Sequence, residues 1–179
     1  MSNSKEVMLD LETMSSGNNA AIVAIGAVMF DATELETLRP FYQTVDLESC
    51  QKWGLEISGS TVMWWLEQDE AARKALKENP APRPLEEVLS NFREWFGGDK
   101  PIWGNGATFD NVILRNAYNA CHMRAPWGYR SDRCYRTLKN MYPGVEQPPA
   151  NEKKHHAYED AMWQTEHLFN IYKKMKELK

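Results

Sequence analysis

Positive charge is in short supply: 21 lysines and arginines stand against 25 aspartates and glutamates, for a formal net charge of −4. The molecule as a whole is no general attractor of phosphate backbones. A phosphate-bearing partner must be met locally, by a basic patch or by bound metal. Cysteine is scarce as well. Cys50, Cys121 and Cys134 are odd in number and widely spaced, which argues against a disulfide framework and for a reducing compartment. No apolar run is long enough to cross a bilayer, and the polar opening MSNSKE lacks the apolar stretch of a secretory signal. The expectation is a cytoplasmic chain with no membrane partner.

What is present is ordinary for a globular fold. Hydrophobic residues make up 42% and charged residues 26% of 179 positions, enough for one domain over residues 1–179 with its own core. Residues 6–12 read as a short apolar strand, Asn18–Asp31 as a second strand buried on both faces, and Leu38–Val45 as a third. Turns between them predict an antiparallel meander. Ser58–Asn79 has helical spacing, with Ser60 as candidate cap and a break near Gln68–Asp69. Leu85, Val88, Leu89, Phe92, Trp95 and Phe96 form one stripe of a further helix. A short strand at Ile102–Trp103, a helix over Thr108–Cys121, a short helix over Arg136–Met141 and a last helix over Ala157–Lys176 complete the reading. The stretch 142–156 is polar, proline-rich and expected to be mobile. The order implies an α/β fold with a mixed sheet.

Against that background VMLDLETM, Val7 to Met14, is odd. Its pattern is that of a buried strand, yet it holds Asp10 and Glu12. Residues two apart in a strand share a face, so the two carboxylates converge. Burying them without a partner is costly. A hard cation between them removes the penalty, and oxygen-only ligands suit Mg²⁺ or Mn²⁺. The plain alternative is a pair of surface charges on an edge strand.

Two further stretches carry acids. In NGATFD, Asn105 to Asp110, a strand ends, glycine turns the chain and Asp110 lands at a helix start. The positive helix end favours a carboxylate there, and so would a nearby metal; a first-turn capping acid is the alternative. In HHAYEDA, His155 and Asp160 are five apart, so they do not share a helical face. His155 belongs to the loop and Asp160 to the first turn, or else this is a solvated histidine pair ahead of a helix. Taken together, four carboxylates and a histidine sit where one strand and two helix starts can meet. A two-metal centre holds ions about 4 Å apart to activate water and steady a leaving oxygen, and a histidine can accept the water's proton.

These motifs resemble the DEDDh branch of the ribonuclease-H-like 3′→5′ exonucleases. Asp10-Leu11-Glu12 matches that family's D-x-E, Asn105 through Phe109-Asp110 its second motif, and His155 through Asp160 its H-x₄-D. STVMWWLEQDEAAR and IWGNGATFDNVILRNAY look most like a phage and bacterial group that includes a mycobacterial exoribonuclease and the exonuclease A of T-even phages. The resemblance implies a central mixed five-stranded sheet flanked by helices, in a bacterial or phage-infected cell. It implies Asp10, Glu12, Asp110 and Asp160 as ligands of two Mg²⁺ or Mn²⁺ ions, with His155 as general base. His156 is one residue off the spacing and remains an alternative.

The family pinches the terminal nucleotide against apolar residues, which points to Leu11, Thr13, Met14 and Phe109. Core packing is the competing reading for Leu11 and Phe109. Trp64 and Trp65 are adjacent, so a helix cannot turn both inward; Trp65 is carried as a candidate stacking surface. Asn105 holds the loop or touches the sugar-phosphate backbone. Arg130, Arg133 and Arg136, with Lys153 and Lys154 beside His155, are candidate phosphate guides, Lys154 foremost. The implied partner is a single-stranded DNA or RNA 3′ end, with DNA favoured, and a homodimer is possible. An exoribonuclease, a non-catalytic nucleic-acid-binding module and a structural protein with incidental acids are the alternatives.

Overall fold

The computed structural model describes residues 4–68, 70–75, 81–151 and 155–178. Three antiparallel strands open the chain: β1 (Lys5–Thr13), β2 (Ile22–Asp31) and β3 (Glu36–Thr44). Four helices follow, α1 (Leu47–Lys52), α2 (Gly59–Glu67), α3 (Glu70–Ala75) and α4 (Leu85–Phe96). Then come β4 (Ile102–Gly104), α5 (Asp110–Ala120), a 3₁₀ turn at Tyr129–Ser131, β5 (Asp132–Cys134), α6 (Tyr135–Met141) and α7 (Ala157–Glu177). The strands lie in the order β3-β2-β1-β4-β5. β4 pairs in parallel with both β1 and β5, so the sheet is mixed and five-stranded.

β1 is central and buried on both faces, and its alternation assigns each residue a side. Val7, Leu9 and Leu11 enter one core, together with Val88, Leu89 and Phe92 of α4 and Ile113 and Leu114 of α5. Met8 enters the other, with Leu168 and Ile171 of α7. Asp10 and Glu12 share the parity of Met8 and so face α7.

Two glycines let helices come close to this strand. Gly26 of β2 pairs with Asp10, and Gly104 of β4 pairs with Leu9. A side chain at Gly26 would begin 2.1 Å from the Ala157 carbonyl carbon, and one at Gly104 would begin 2.5 Å from Asn111 Oδ1. Helix starts thus pack directly on strand backbone. Asp132 secures the far side of α5. Its carboxylate accepts hydrogen bonds from Asn111 Nδ2, Arg115 Nη2 and Trp127 Nε1 at 2.8–2.9 Å.

Several details differ from the sequence expectation. β2 starts at Ile22 rather than Asn18, because residues 17–20 form a turn closed by Ala20 N–H donating to the Gly17 carbonyl. α2 starts at Gly59 with Ser58, not Ser60, as its cap residue. β5 and α1 fall in stretches to which the sequence pattern assigns no element. α1 is only six residues long and is nucleated by Asp46, whose Oδ2 accepts from Ser49 N–H at 3.0 Å. Among the described residues, no helix is long and apolar enough to cross a membrane.

Candidate active site

The strand and the two helix starts meet. Asp10 and Glu12 project from β1 onto the first turns of α7, which carry Asp160. Asp10, Glu12 and Asp160 each present a carboxylate oxygen within 4.8 Å of the others. Asp110, buried at the start of α5, closes the group from the opposite side. Its Oδ1 accepts from the Leu11 backbone N–H at 3.2 Å, tying it to β1 between the other two acids.

Crowding these acids is electrostatically expensive, and their protonation reflects it. Burial pushes Asp10 well above the usual carboxylate range, and the charges of Asp110, Glu12 and Asp160 add to that. Glu12 is pushed up to about 8, first by burial and then by Asp160 and Asp110. Burial takes Asp110 to about 7, against the Leu11 amide and the Arg136 charge. Burial also raises Asp160, opposed by hydrogen bonds from Asn151 and from His155 N–H. Such a cluster is stable when protonated or when positively charged ions lie among the oxygens. An all-carboxylate donor set fits hard divalent cations.

His155 sits at the mouth. Its backbone is left-handed, with φ of 62°, and its N–H donates to Asp160 Oδ2 at 3.0 Å. Its ring meets Trp64 and Trp65 edge to face, with centroids 5.0 and 6.0 Å away. His156 is placed differently. It caps α7, its Nδ1 accepting from Glu159 N–H at 3.5 Å, and its ring stacks on Tyr42 at 4.3 Å. His155 lines the acidic cavity; His156 does not.

Two cavities adjoin here. The acidic one, about 420 Å³, holds all four carboxylates, His155, Asn105, Arg136 and Gln164. Its neighbour, about 410 Å³, is lined by Thr13, Ser15, Ser60, Thr61, Trp64 and Trp65. Leu11, Glu12 and Phe109 form the wall common to both. Of the two tryptophans, Trp65 is 4% exposed and Trp64 41%. Trp65 Nε1 donates to the Thr13 carbonyl at 3.0 Å, which anchors α2 to the end of β1.

Other candidate residues scatter. Met14 is buried in the core and lines neither cavity. Asn105 reaches the acidic cavity, and its carbonyl accepts from Arg136 Nη2 at 2.6 Å. Arg130 and Arg133 line neither cavity, and Arg133 Nη1 donates to the Arg130 and Asp132 carbonyls. Lys153 and Lys154 lie outside the described residues, as does part of the loop expected to be mobile. Two residues of the acidic cavity escaped the sequence reading. Gln164, whose Nε2 donates to Asp10 Oδ1 at 2.7 Å, is four positions after Asp160 and so on its helical face. Trp163, whose Nε1 donates to the Pro149 carbonyl, carried no such signal.

Residues 5–172 match the family model described as the 3′-5′ exoribonuclease Rv2179c-like domain. The chain belongs to that family. An exodeoxyribonuclease of Enterobacteria phage T4 is 27% identical to it over 123 residues, which are 61% of this chain and 53% of the phage enzyme. The chain thus spans about half the length of that relative. Escherichia coli exonuclease I, solved with single-stranded DNA, superposes with a TM-score of 0.70 at 14% identity, over 98% of this chain and 42% of that one. The nuclease domain of 3′hExo, a DEDDh member bound to rAMP, superposes with a TM-score of 0.57 at 13% identity, over 96% and 92%. The fold of this Rv2179c-like domain is therefore the ribonuclease-H-like fold of DEDDh 3′-5′ exonucleases.

Proposed function

We propose that the chain is a metal-dependent 3′→5′ exonuclease that releases nucleoside 5′-monophosphates from single strands or 3′ overhangs. The observation that carries this reading is the convergence of Asp10, Glu12 and Asp160 within 4.8 Å, with Asp110 buried beside them. These four residues would hold two Mg²⁺ or Mn²⁺ ions. Bound divalent cations would supply positive charge to the phosphate oxygens and acidify the attacking water.

The rest falls to the chain's own groups. His155, held by its N–H bond to Asp160, accepts the proton of the attacking water on a ring nitrogen. Leu11 and Phe109 separate the acidic cavity from the neighbouring one, so a terminal nucleotide can rest its base in the second while its phosphate meets the acids. Thr13, Trp64 and Trp65 enclose the base there, and Asn105 and Arg136 meet the phosphate side. Lys154 beside His155 is assigned to phosphate guidance. Met14 supports this wall from the core.

DNA is the favoured substrate, as it is the substrate named for the phage relative. RNA is the second reading, favoured by the family description, which names an exoribonuclease. Only a contact to the 2′-hydroxyl separates the two. The test is digestion of matched 5′-labelled DNA and RNA oligonucleotides with and without Mn²⁺, with Asp10→Ala as control. Stepwise shortening that needs both Mn²⁺ and Asp10 supports the proposal. Binding without shortening would leave a nucleic-acid-binding module.

A further inference from the structure

Gln164 has no task in the mechanism above, yet it is placed as though it had one. It lies one helical turn beyond Asp160 and is 4% exposed. Its Nε2 donates to Asp10 Oδ1 at 2.7 Å. Its Oε1 is buried and has no hydrogen-bonding partner among the described residues. With Nε2 committed to Asp10, the unpaired carbonyl oxygen stays at the acidic cavity that Gln164 lines. Buried acceptors are rarely left unmade in this way.

The residue type is informative. A fourth acid on this face would add repulsion to the Asp10, Glu12 and Asp160 cluster. An apolar side chain would leave Asp10 Oδ1 without its donor. Glutamine adds one donor and one acceptor without adding charge. Hard cations such as Mg²⁺ retain several waters when bound by carboxylates, and those waters are donors in need of acceptors.

We propose that Gln164 is a positioning residue of the cation site: its amide N–H fixes Asp10, and its Oε1 accepts from the hydration shell of a bound divalent cation. The inference rests on the metal-dependent reading above. Partners in this outer position govern affinity, and their loss costs about 10–100-fold.

The test is Mn²⁺ binding by titration calorimetry, without nucleic acid, on wild type, Gln164→Leu and Gln164→Glu. Gln164→Leu loses donor and acceptor and is expected to bind about 10–100-fold more weakly. Gln164→Glu keeps the acceptor but loses the donor, and is expected to bind more tightly than Gln164→Leu. Circular dichroism in EDTA confirms folding, and Gln164→Met replaces the leucine variant if that one fails to fold. An apolar variant that binds Mn²⁺ like wild type overturns the proposal. So does a glutamate variant as weak as the apolar one, since the oxygen would then be idle. Either result in a chain that still shortens oligonucleotides leaves the exonuclease reading standing. A wild type that binds Mn²⁺ and shortens nothing fails that reading alone.

Discussion

Gly26 lies opposite Asp10 across the β1–β2 pair, and the backbone of Ala157 passes so near that a methyl group at Gly26 would begin 2.1 Å from it. The spacing between Asp160 and the β1 acids is thus set partly by a missing side chain. In Gly26→Ala the obstacle is backbone, and backbone cannot rotate away. We expect destabilisation of about 1–3 kcal/mol from overpacking, and a loss of nuclease turnover. Gly59→Ala is the control, since nothing lies within 4 Å of its added methyl. Thermal melts and kcat on both variants check this, and equal kcat in the two would refute it.

The two histidines should separate cleanly. His155→Ala is expected to lower kcat by about 10²–10⁴, the usual worth of a general base, with little change in melting temperature. His156→Ala removes the α7 cap and the stack on Tyr42. It should cost about 1 kcal/mol of stability and lower kcat far less. Steady-state kinetics beside denaturant melts distinguishes the two, and the reverse pattern would move the base to His156.

The tryptophans divide along a different line. Trp65 is buried and bonded to the Thr13 carbonyl, so Trp65→Ala should cost about 3–5 kcal/mol of stability. Trp64 is exposed beside the second cavity, so Trp64→Ala should fold normally and raise KM for oligonucleotides, with a loss of about 1–3 kcal/mol in base stacking. Denaturant unfolding and KM values measure the two effects.

Metal should matter more as pH rises. Glu12 goes from an ordinary 4.5 to about 8 in the folded chain, and Asp110 from 3.8 to about 7. The metal-free fold therefore holds protons that the unfolded chain has released. That contribution is complete below the unfolded values and is lost as pH climbs through about 7 to 8. In EDTA the melting temperature should fall between about pH 5 and 8. Saturating Mn²⁺ should raise it more at the alkaline end. A metal-induced rise that is equal at both pH values would contradict the clustered-acid account.

Much of the site was legible because its acids lie at places with local signatures. The alternation of β1 put Asp10 and Glu12 on one face, and the five-residue gap put His155 ahead of α7 and Asp160 inside it. What stayed hidden depends on distant partners. β5 is three residues, Asp-Arg-Cys, with no apolar pattern; pairing with β4 and the bonds gathered by Asp132 make it a strand. Which tryptophan turns inward is decided by a carbonyl 52 residues away. Gln164 is invisible as chemistry until Asp10, 154 residues earlier, is laid against it.

The alternation of β1 has an evolutionary edge. Neighbouring positions on that strand serve unrelated ends, Val7 and Leu9 filling a core while Asp10 and Glu12 reach the cavity. An insertion or deletion of one residue ahead of Asp10 would exchange the two sets at a stroke. Methyl groups would then point at the phosphate and carboxylates at the packed interior. Foldability and catalysis would be lost together, so this stretch can change letters but not length.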